Sequence, residues 1–177
     1  MDDQFVLGQV DEVAALVFTN PLVADGLVLI EGNVLFVIAQ HRQLTKQTTE
    51  AGGILLGYRR GAHLHITHLT VPGPKDVATR VSFKRRDPCH QKQALRAWEQ
   101  SGHTVDYLGE WHTHPEVSPS PSSTDRRAWT EILQKRNELH AFLIAGTEEM
   151  LWAGCATMSD LKRLIPLNFA DDSIHNI

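Results

Sequence analysis

Apolar positions in this chain fall in short clusters separated by glycine, proline and polar breaks, and each cluster has a period that points to one element. Residues 27–30 (LVLI) make a short apolar strand candidate. Gly32-Asn33 precedes the apolar run 34–39, which continues into polar Gln40-His41-Arg42-Gln43. With Asn33 as N-cap, the length of that run favours a helix. Residues 53–58 (GILLGY) are continuously apolar and bounded by glycines, the pattern of a central strand buried on both faces. Residues 63–71 alternate, with Leu64 and Ile66 on one face and His63, His65 and Thr67 on the other. The alternation slips before Leu69 and Val71, which predicts a bulge. Pro72-Gly73-Pro74 then breaks the chain. Asp87-Pro88 supplies an N-cap and a proline at the first helical position. The helix that follows is expected to bury Leu95 and Trp98 and to end at Ser101-Gly102. Residues 104–111 form a strand. Trp129, Ile132 and Leu133 recur at i, i+3 and i+4, an amphipathic helix stripe. Residues 142–145 and 150–153 form two strands around a turn at Thr147-Glu148-Glu149, and 171–177 are expected to fray. Helices and strands interleave with hairpin-like spacing, so the fold class expected is α/β: a sandwich around a mixed sheet.

Composition narrows the class. A chain of 177 residues suits one domain. It can bury roughly 70% of its unfolded surface without disulfide staples. Apolar residues are 42% and charged residues 21%, the balance of a globular protein. The net charge of −4 weighs against a nucleic-acid-binding face. Arg59-Arg60 and Lys84-Arg85-Arg86 are read as solvated strand ends. Cys89 and Cys155 are far apart, which fits a reducing compartment. The start Met1-Asp2-Asp3-Gln4 lacks the basic residues and apolar core of a signal peptide. No apolar run approaches the ~20 residues of a membrane span. A cytoplasmic protein is expected. Trp98, Trp129 and Trp152 are assigned to the core, and Cys89-His90 to helix-start packing rather than to a second metal.

The chemistry concentrates in Gly109-Glu110-Trp111-His112-Thr113-His114-Pro115, followed by Ser122 and Asp125. Alternate residues of a strand share a face, with Cα atoms about 6–7 Å apart. His112 and His114 can therefore converge on one divalent ion. Asp125 offers a third ligand, and three protein ligands leave a position open, as in catalytic zinc sites. Ser122 and Asp125 also have the spacing of a helix start, Ser as N-cap with an acid three residues on. The two roles are compatible, because a first-turn carboxylate faces the positive end of the helix dipole and stays ionised. His63 and His65 share the H-x-H spacing but have no such partner pattern, and are assigned to a solvated strand face. Pro115 ends the strand, and the Ser-Pro-rich stretch 118–123 forms a stiff polar turn.

A hydrolase also needs a general base within reach of water on a rigid support. Glu50 stands just before Ala51-Gly52-Gly53 and the rigid strand beyond, where the glycines admit a closely approaching backbone or substrate. Glu110 and Glu116 flank the histidines and compete for the role. Glu110 is expected to face away from His112 in an unbroken strand, and Glu116 lies past the proline. Spacing alone does not decide among the three.

The set Glu50-Ala-Gly-Gly-Ile-Leu-Leu-Gly57, His112-Thr-His114-Pro115, Ser122 and Asp125 resembles the JAMM metalloproteases, the catalytic MPN (Mov34/PAD-1) family. The resemblance spans about residues 27–157. It implies a single cytidine-deaminase-like domain over residues 1–177, with a mixed sheet flanked by helices. It also implies one catalytic zinc on His112, His114 and Asp125, with Glu50 as base and Ser122 steadying the oxyanion. Those enzymes cleave isopeptide or peptide bonds after the C-terminal glycine of ubiquitin or ubiquitin-like proteins. Tyr107-Leu-Gly-Glu-Trp-His-Thr-His-Pro115, Pro121-Ser-Ser123 and Pro72-Gly-Pro-Lys-Asp76 are similar to a bacterial branch labelled integrative and conjugative element protein. That branch includes the deconjugating peptidase of CBASS anti-phage operons. There an E1–E2-like fusion protein attaches the C-terminus of a nucleotidyltransferase to targets, and the peptidase removes it. The resemblance thus implies a conjugated nucleotidyltransferase or ubiquitin-like partner. Alternatives on the same fold are a sulfur-carrier or phage-tail processing peptidase, or a non-catalytic scaffold.

Overall fold

The computed structural model describes residues 13–148 and 150–167. The expected fraying at 171–177 and Glu149 of the expected turn lie outside these residues. In chain order the elements are β1 (Leu16–Thr19), β2 (Leu27–Ile30), α1 (Gly32–Gln40), β3 (Gly52–Arg60), β4 (His63–Leu69), β5 (Val77–Thr79) and β6 (Ser82–Lys84). They continue as α2 (Cys89–Gln100), β7 (Asp106–Thr113), α3 (Ser123–Lys135), β8 (His140–Ala145), β9 (Leu151–Ala156), β10 (Leu161–Arg163) and β11 (Ile165–Pro166). Nine of the strands form one sheet in the order β10-β9-β8-β7-β3-β4-β2-β1-β11, and β5-β6 is a separate hairpin. The sheet is mixed: β2 pairs β4 and β7 pairs β8 in parallel, and the other pairs are antiparallel.

Helices cover both faces of this sheet. Val34 and Ile38 of α1 pack in one apolar cluster with Leu55, Leu108 and Leu143. On the opposite face α2 lies over Ile54 and Leu56, and α3 lies over Phe142, Ile144 and Trp152. Adjacent residues of β3 and β8 thus feed different cores, which is why both strands read as unbroken apolar runs. A parallel pair needs a crossover, and β7-α3-β8 is one. It carries the chain from the histidine strand to the helix that begins at Ser122.

Two irregularities shape the site strand. In the β3-β4 pair the register moves from Leu56↔His68 to Gly57↔Ile66, so Thr67 is the extra residue that the slipped alternation predicts. In the β3-β7 pair it moves from Leu55↔Gly109 to Leu56↔Tyr107, leaving Leu108 extra. Gly109 sits in this bulge at φ +147° against β8. A Cβ there would run into the Ala141 carbonyl, so glycine is required.

Four expectations are corrected. Asn33 is not the N-cap of α1. Glu31, with extended backbone, holds that position, and Asn33 donates its side-chain amide to the Thr67 carbonyl at 3.2 Å. The buried face of α2 is His90, with Ala94 and Ala97 packed on the sheet, whereas Leu95 is 53% exposed and Trp98 41% exposed. Trp98 stacks on His103 instead of entering the core. Small side chains let the helix lie close to the sheet, and the larger ones are then turned outward. Arg59 is no solvated strand end: it bonds Asp106 at 3.2 Å and the Tyr107 carbonyl at 3.0 Å. Pro88, with helical backbone, directly precedes α2, and Asp87 before it accepts the Cys89 N–H on its carboxylate at 2.8 Å. Among the described residues no helix is long and apolar enough to cross a membrane.

Candidate metal centre

His112 is near the C-terminal end of β7 and His114 lies just beyond it, with Thr113 buried on the opposite face. Their Nε2 atoms are 3.0 Å apart. Asp125 comes from the first turn of α3: its Oδ1 is 3.2 Å from His112 Nε2 and its Oδ2 is 3.4 Å from His114 Nε2. Two imidazole nitrogens and a carboxylate thus form a triangle. For zinc at ~2.0–2.1 Å from each donor, tetrahedral geometry sets neighbouring donors about 3.3–3.4 Å apart. The triangle fits that ion, and it is the one group of three such side chains among the described residues that could hold a metal ion. His63 and His65 join no cluster. His63 Nδ1 accepts the Leu27 N–H and His65 pairs with Glu31 at 2.6 Å.

The start of α3 shows how one carboxylate serves two tasks. Ser122 caps the helix, its Oγ accepting the Asp125 N–H at 3.2 Å, and Asp125 Oδ2 accepts the Ser122 N–H at 2.6 Å. This reciprocal box locks Asp125 in the rotamer that faces the histidines. The Ser122 oxygen is occupied as an acceptor, so its own O–H is left to be donated.

Charge follows this geometry. Burial pushes the Asp125 carboxyl upward, but hydrogen bonds from His112 and His114, the His112 charge and the Ser122 bond outweigh it and hold it well below the usual carboxylate range. Burial pushes His114 down, yet the Asp125 hydrogen bond and the charges of Asp125, Glu50 and Glu116 leave it raised. Glu50 is 7% exposed, and burial is the main cause that lifts its carboxyl to about 7. The His114 charge opposes that lift, and Asp125 and Glu116 add to it. A carboxyl near neutrality can both take and return a proton at physiological pH.

Glu50, Ser122, His112, His114 and Asp125 all line one cavity of about 710 Å³. Glu110 lines it too, and the expectation that it faces away from His112 is wrong. Residues two apart share a strand face, the same rule that pairs His112 with His114, and the register between 110 and 112 is unbroken. Its carboxylate is engaged by Arg85. Glu116 is more than half exposed and lies 3.8 Å from His114 Nδ1. The glycines that open β3 are closed by the protein itself. A Cβ at Gly52 would meet the Phe83 ring, and one at Gly53 the Thr70 carbonyl.

Comparison with known proteins then supplies the family. The family described as prokaryotic homologues of the JAB domain matches residues 33–154. The chain belongs to the JAB family. It is 38% identical over 140 residues to a CD-NTase/cGAS isopeptidase of Escherichia coli strain TW11681, covering 79% of this chain and 88% of that one. It is 41% identical over 131 residues to a CD-NTase/cGAS isopeptidase of Vibrio cholerae serotype O1, covering 74% and 83%. A protein of Desulfitobacterium hafniense solved in solution shares the fold, with TM-score 0.54 and 20% identity over 77% of this chain and 87% of that one. This JAB assignment agrees with the resemblance drawn from Glu50, the H-x-H pair and the S-x-x-D pair.

Several residues around the cavity were not legible in the sequence. The β5-β6 hairpin forms one wall of the cavity through Phe83, Lys84 and Arg85. Trp129, read only as core, also stands beside His112 at 6.2 Å between ring centres. The basic run 84–86 was the available signal for the hairpin, but it reads equally well as surface.

Proposed function

We propose that this protein is a zinc-dependent isopeptidase that releases a C-terminally conjugated nucleotidyltransferase from its targets in CBASS anti-phage defence. The observation that carries the reading is the convergence of His112, His114 and Asp125 in one cavity with a buried carboxyl, Glu50, titrating near neutrality. The names of the E. coli and V. cholerae relatives support the substrate class. The catalytic unit is the single domain with its core at about 27–157. The enzyme that attaches the tail would be an E1–E2-like fusion protein.

His112, His114 and Asp125 would hold the ion. Bound there, zinc would supply Lewis acidity that acidifies water and polarises a carbonyl. Glu50 accepts the proton released as water attacks the scissile carbonyl, and returns it to the leaving lysine amine. Burial of Glu50 suits both transfers, because neither form is strongly favoured at neutral pH. The Ser122 O–H, not spent in the helix cap, donates to the developing oxyanion. The hairpin beside the cavity offers a strand edge along which an extended tail can pair through its backbone.

The test uses zinc-loaded protein and a CD-NTase fused through its C-terminus to a reporter, beside a fusion with an unrelated C-terminal tail. Mass spectrometry should locate cleavage directly after the CD-NTase C-terminus, with the unrelated fusion intact. Equal cleavage of both would refute the substrate class.

A further inference from the structure

Three residues beyond the end of α1, Gln43 takes an unusual position. Gln43 is 2% exposed, yet all of its polar atoms are engaged. Its Nε2 donates to the Thr48 carbonyl at 3.2 Å and to the Arg80 carbonyl at 2.8 Å. Its Oε1 accepts the Thr113 hydroxyl at 3.3 Å. Two carbonyls on the amide side and a hydroxyl on the other fix which way the group points.

These three partners lie on three of the segments around the site: the loop that carries Glu50, the β5-β6 turn and the histidine strand. Thr48 is two residues before Glu50. Arg80 is in the turn between β5 and β6. Thr113 stands between His112 and His114 on the opposite face of their strand. The same segments are tied again around Gln43. The Glu50 N–H donates to the Thr79 carbonyl at 2.8 Å, and the Arg80 guanidinium donates to the Thr45 carbonyl at 2.9 Å. The Ala51 N–H donates to Thr113 Oγ1 at 3.0 Å, and the Thr113 N–H to the Ala51 carbonyl at 2.9 Å. Glu50 thus sits on a loop outside any helix or strand, hung between the histidine strand and the hairpin turn, with Gln43 as the one side chain that bonds to all three.

We infer that Gln43 is a positioning residue that sets the Glu50 carboxyl against the His112-His114-Asp125 cluster and ties that placement to the β5-β6 hairpin. The inference rests on the proposed role of Glu50. A buried apolar side chain would fill the space of Gln43 equally well. A buried amide costs free energy unless its bonds are made, so its use here points to placement. Gln43 is neither a residue of the ligand cluster nor one that lines the cavity, and acts through the loop.

The test is a double-mutant cycle with single-turnover kinetics on the CD-NTase–reporter fusion. Gln43→Met keeps the volume and removes all three bonds; a shift of about 1 Å in a reacting group lowers rates by roughly 10²-fold. The expected result is a 10- to 100-fold fall in turnover with KM and zinc content unchanged. In a Glu50→Gln background the same change should leave the residual rate unaltered, because residues that act as a unit are non-additive. If Gln43→Met does not fold, Gln43→Glu, which keeps the shape and the Thr113 acceptor, carries the same cycle. Equal fractional losses in both backgrounds, or wild-type turnover in a folded variant, would overturn the role of Gln43 and leave the hydrolase reading intact. No cleavage by zinc-loaded wild-type protein overturns both.

Discussion

At the scale of single residues, the account turns on how Glu50 and Ser122 are held. The folded-state carboxyl of Glu50 lies near 7, above its ordinary 4.5. The folded protein therefore binds this proton more tightly than the unfolded chain. The contribution of this group to stability is fully present below about pH 4.5 and is lost as pH rises through 7, a change on the order of 3 kcal/mol. Glu50→Gln removes the effect. Denaturant unfolding of chelator-treated protein should show the variant gaining on wild type between pH 5 and 8, and a constant difference would contradict the burial of Glu50. Ser122→Ala separates two roles. It should cost about 1 kcal/mol of stability through the lost cap and slow turnover roughly 10²–10³-fold through the lost donor. A stability loss with unchanged kcat would leave Ser122 as a cap only. The histidines, Ser122 and Asp125 were legible as a candidate site because their spacing is local. Glu50 was not: Glu50, Glu110 and Glu116 compete on spacing, and only the family resemblance singled out Glu50. Gln43 was hidden in the polar stretch that follows the apolar run 34–39, beyond the end of α1.

At the scale of elements, the site is built by the crossover β7-α3-β8. The stack of Trp129 on Phe142, with ring centres 4.3 Å apart, fixes α3 against β8, the neighbour of the strand that carries His112. Trp129→Ala should cost about 3–5 kcal/mol by urea unfolding. It should also weaken zinc binding, since Asp125 lies one turn earlier on the same helix. A full loss of stability with unchanged zinc affinity would show that α3 packing does not place Asp125. The α3 stripe was legible because Trp129, Ile132 and Leu133 are large and apolar. The α2 stripe was misread for the complementary reason. Its true face, His90, Ala94 and Ala97, also has helical spacing, but it is made of small residues and one polar one. His90 is buried because Asp76 and Thr70 satisfy both ring nitrogens at 2.7 and 2.5 Å. The partner Asp76 lies fourteen residues away, beyond any local pattern.

At the scale of the whole molecule, periodicity gave the class of the fold and the mixed sheet but not its strand order. The order depends on which runs pair at long range, as where β3 lies between β7 and β4. The hairpin β5-β6 was invisible because strands of three residues carry no readable period. The assembled site should couple to global stability, because an ion that binds only the folded chain stabilises it by mass action. At one hundred times its dissociation constant, zinc adds about 2.7 kcal/mol, or roughly 5–10 °C in Tm. Wild-type protein should lose that increment on chelation and Asp125→Ala should not, by differential scanning calorimetry. An equal chelator response in both would remove Asp125 from the ligand set. The most direct test of the whole account is the single-turnover cleavage rate of the CD-NTase–reporter fusion by wild type and Glu50→Gln, each carrying one zinc by elemental analysis. The account predicts cleavage by wild type and a loss of nearly all activity in the variant at equal zinc. Comparable rates, or no cleavage by the zinc-loaded wild type, would contradict it.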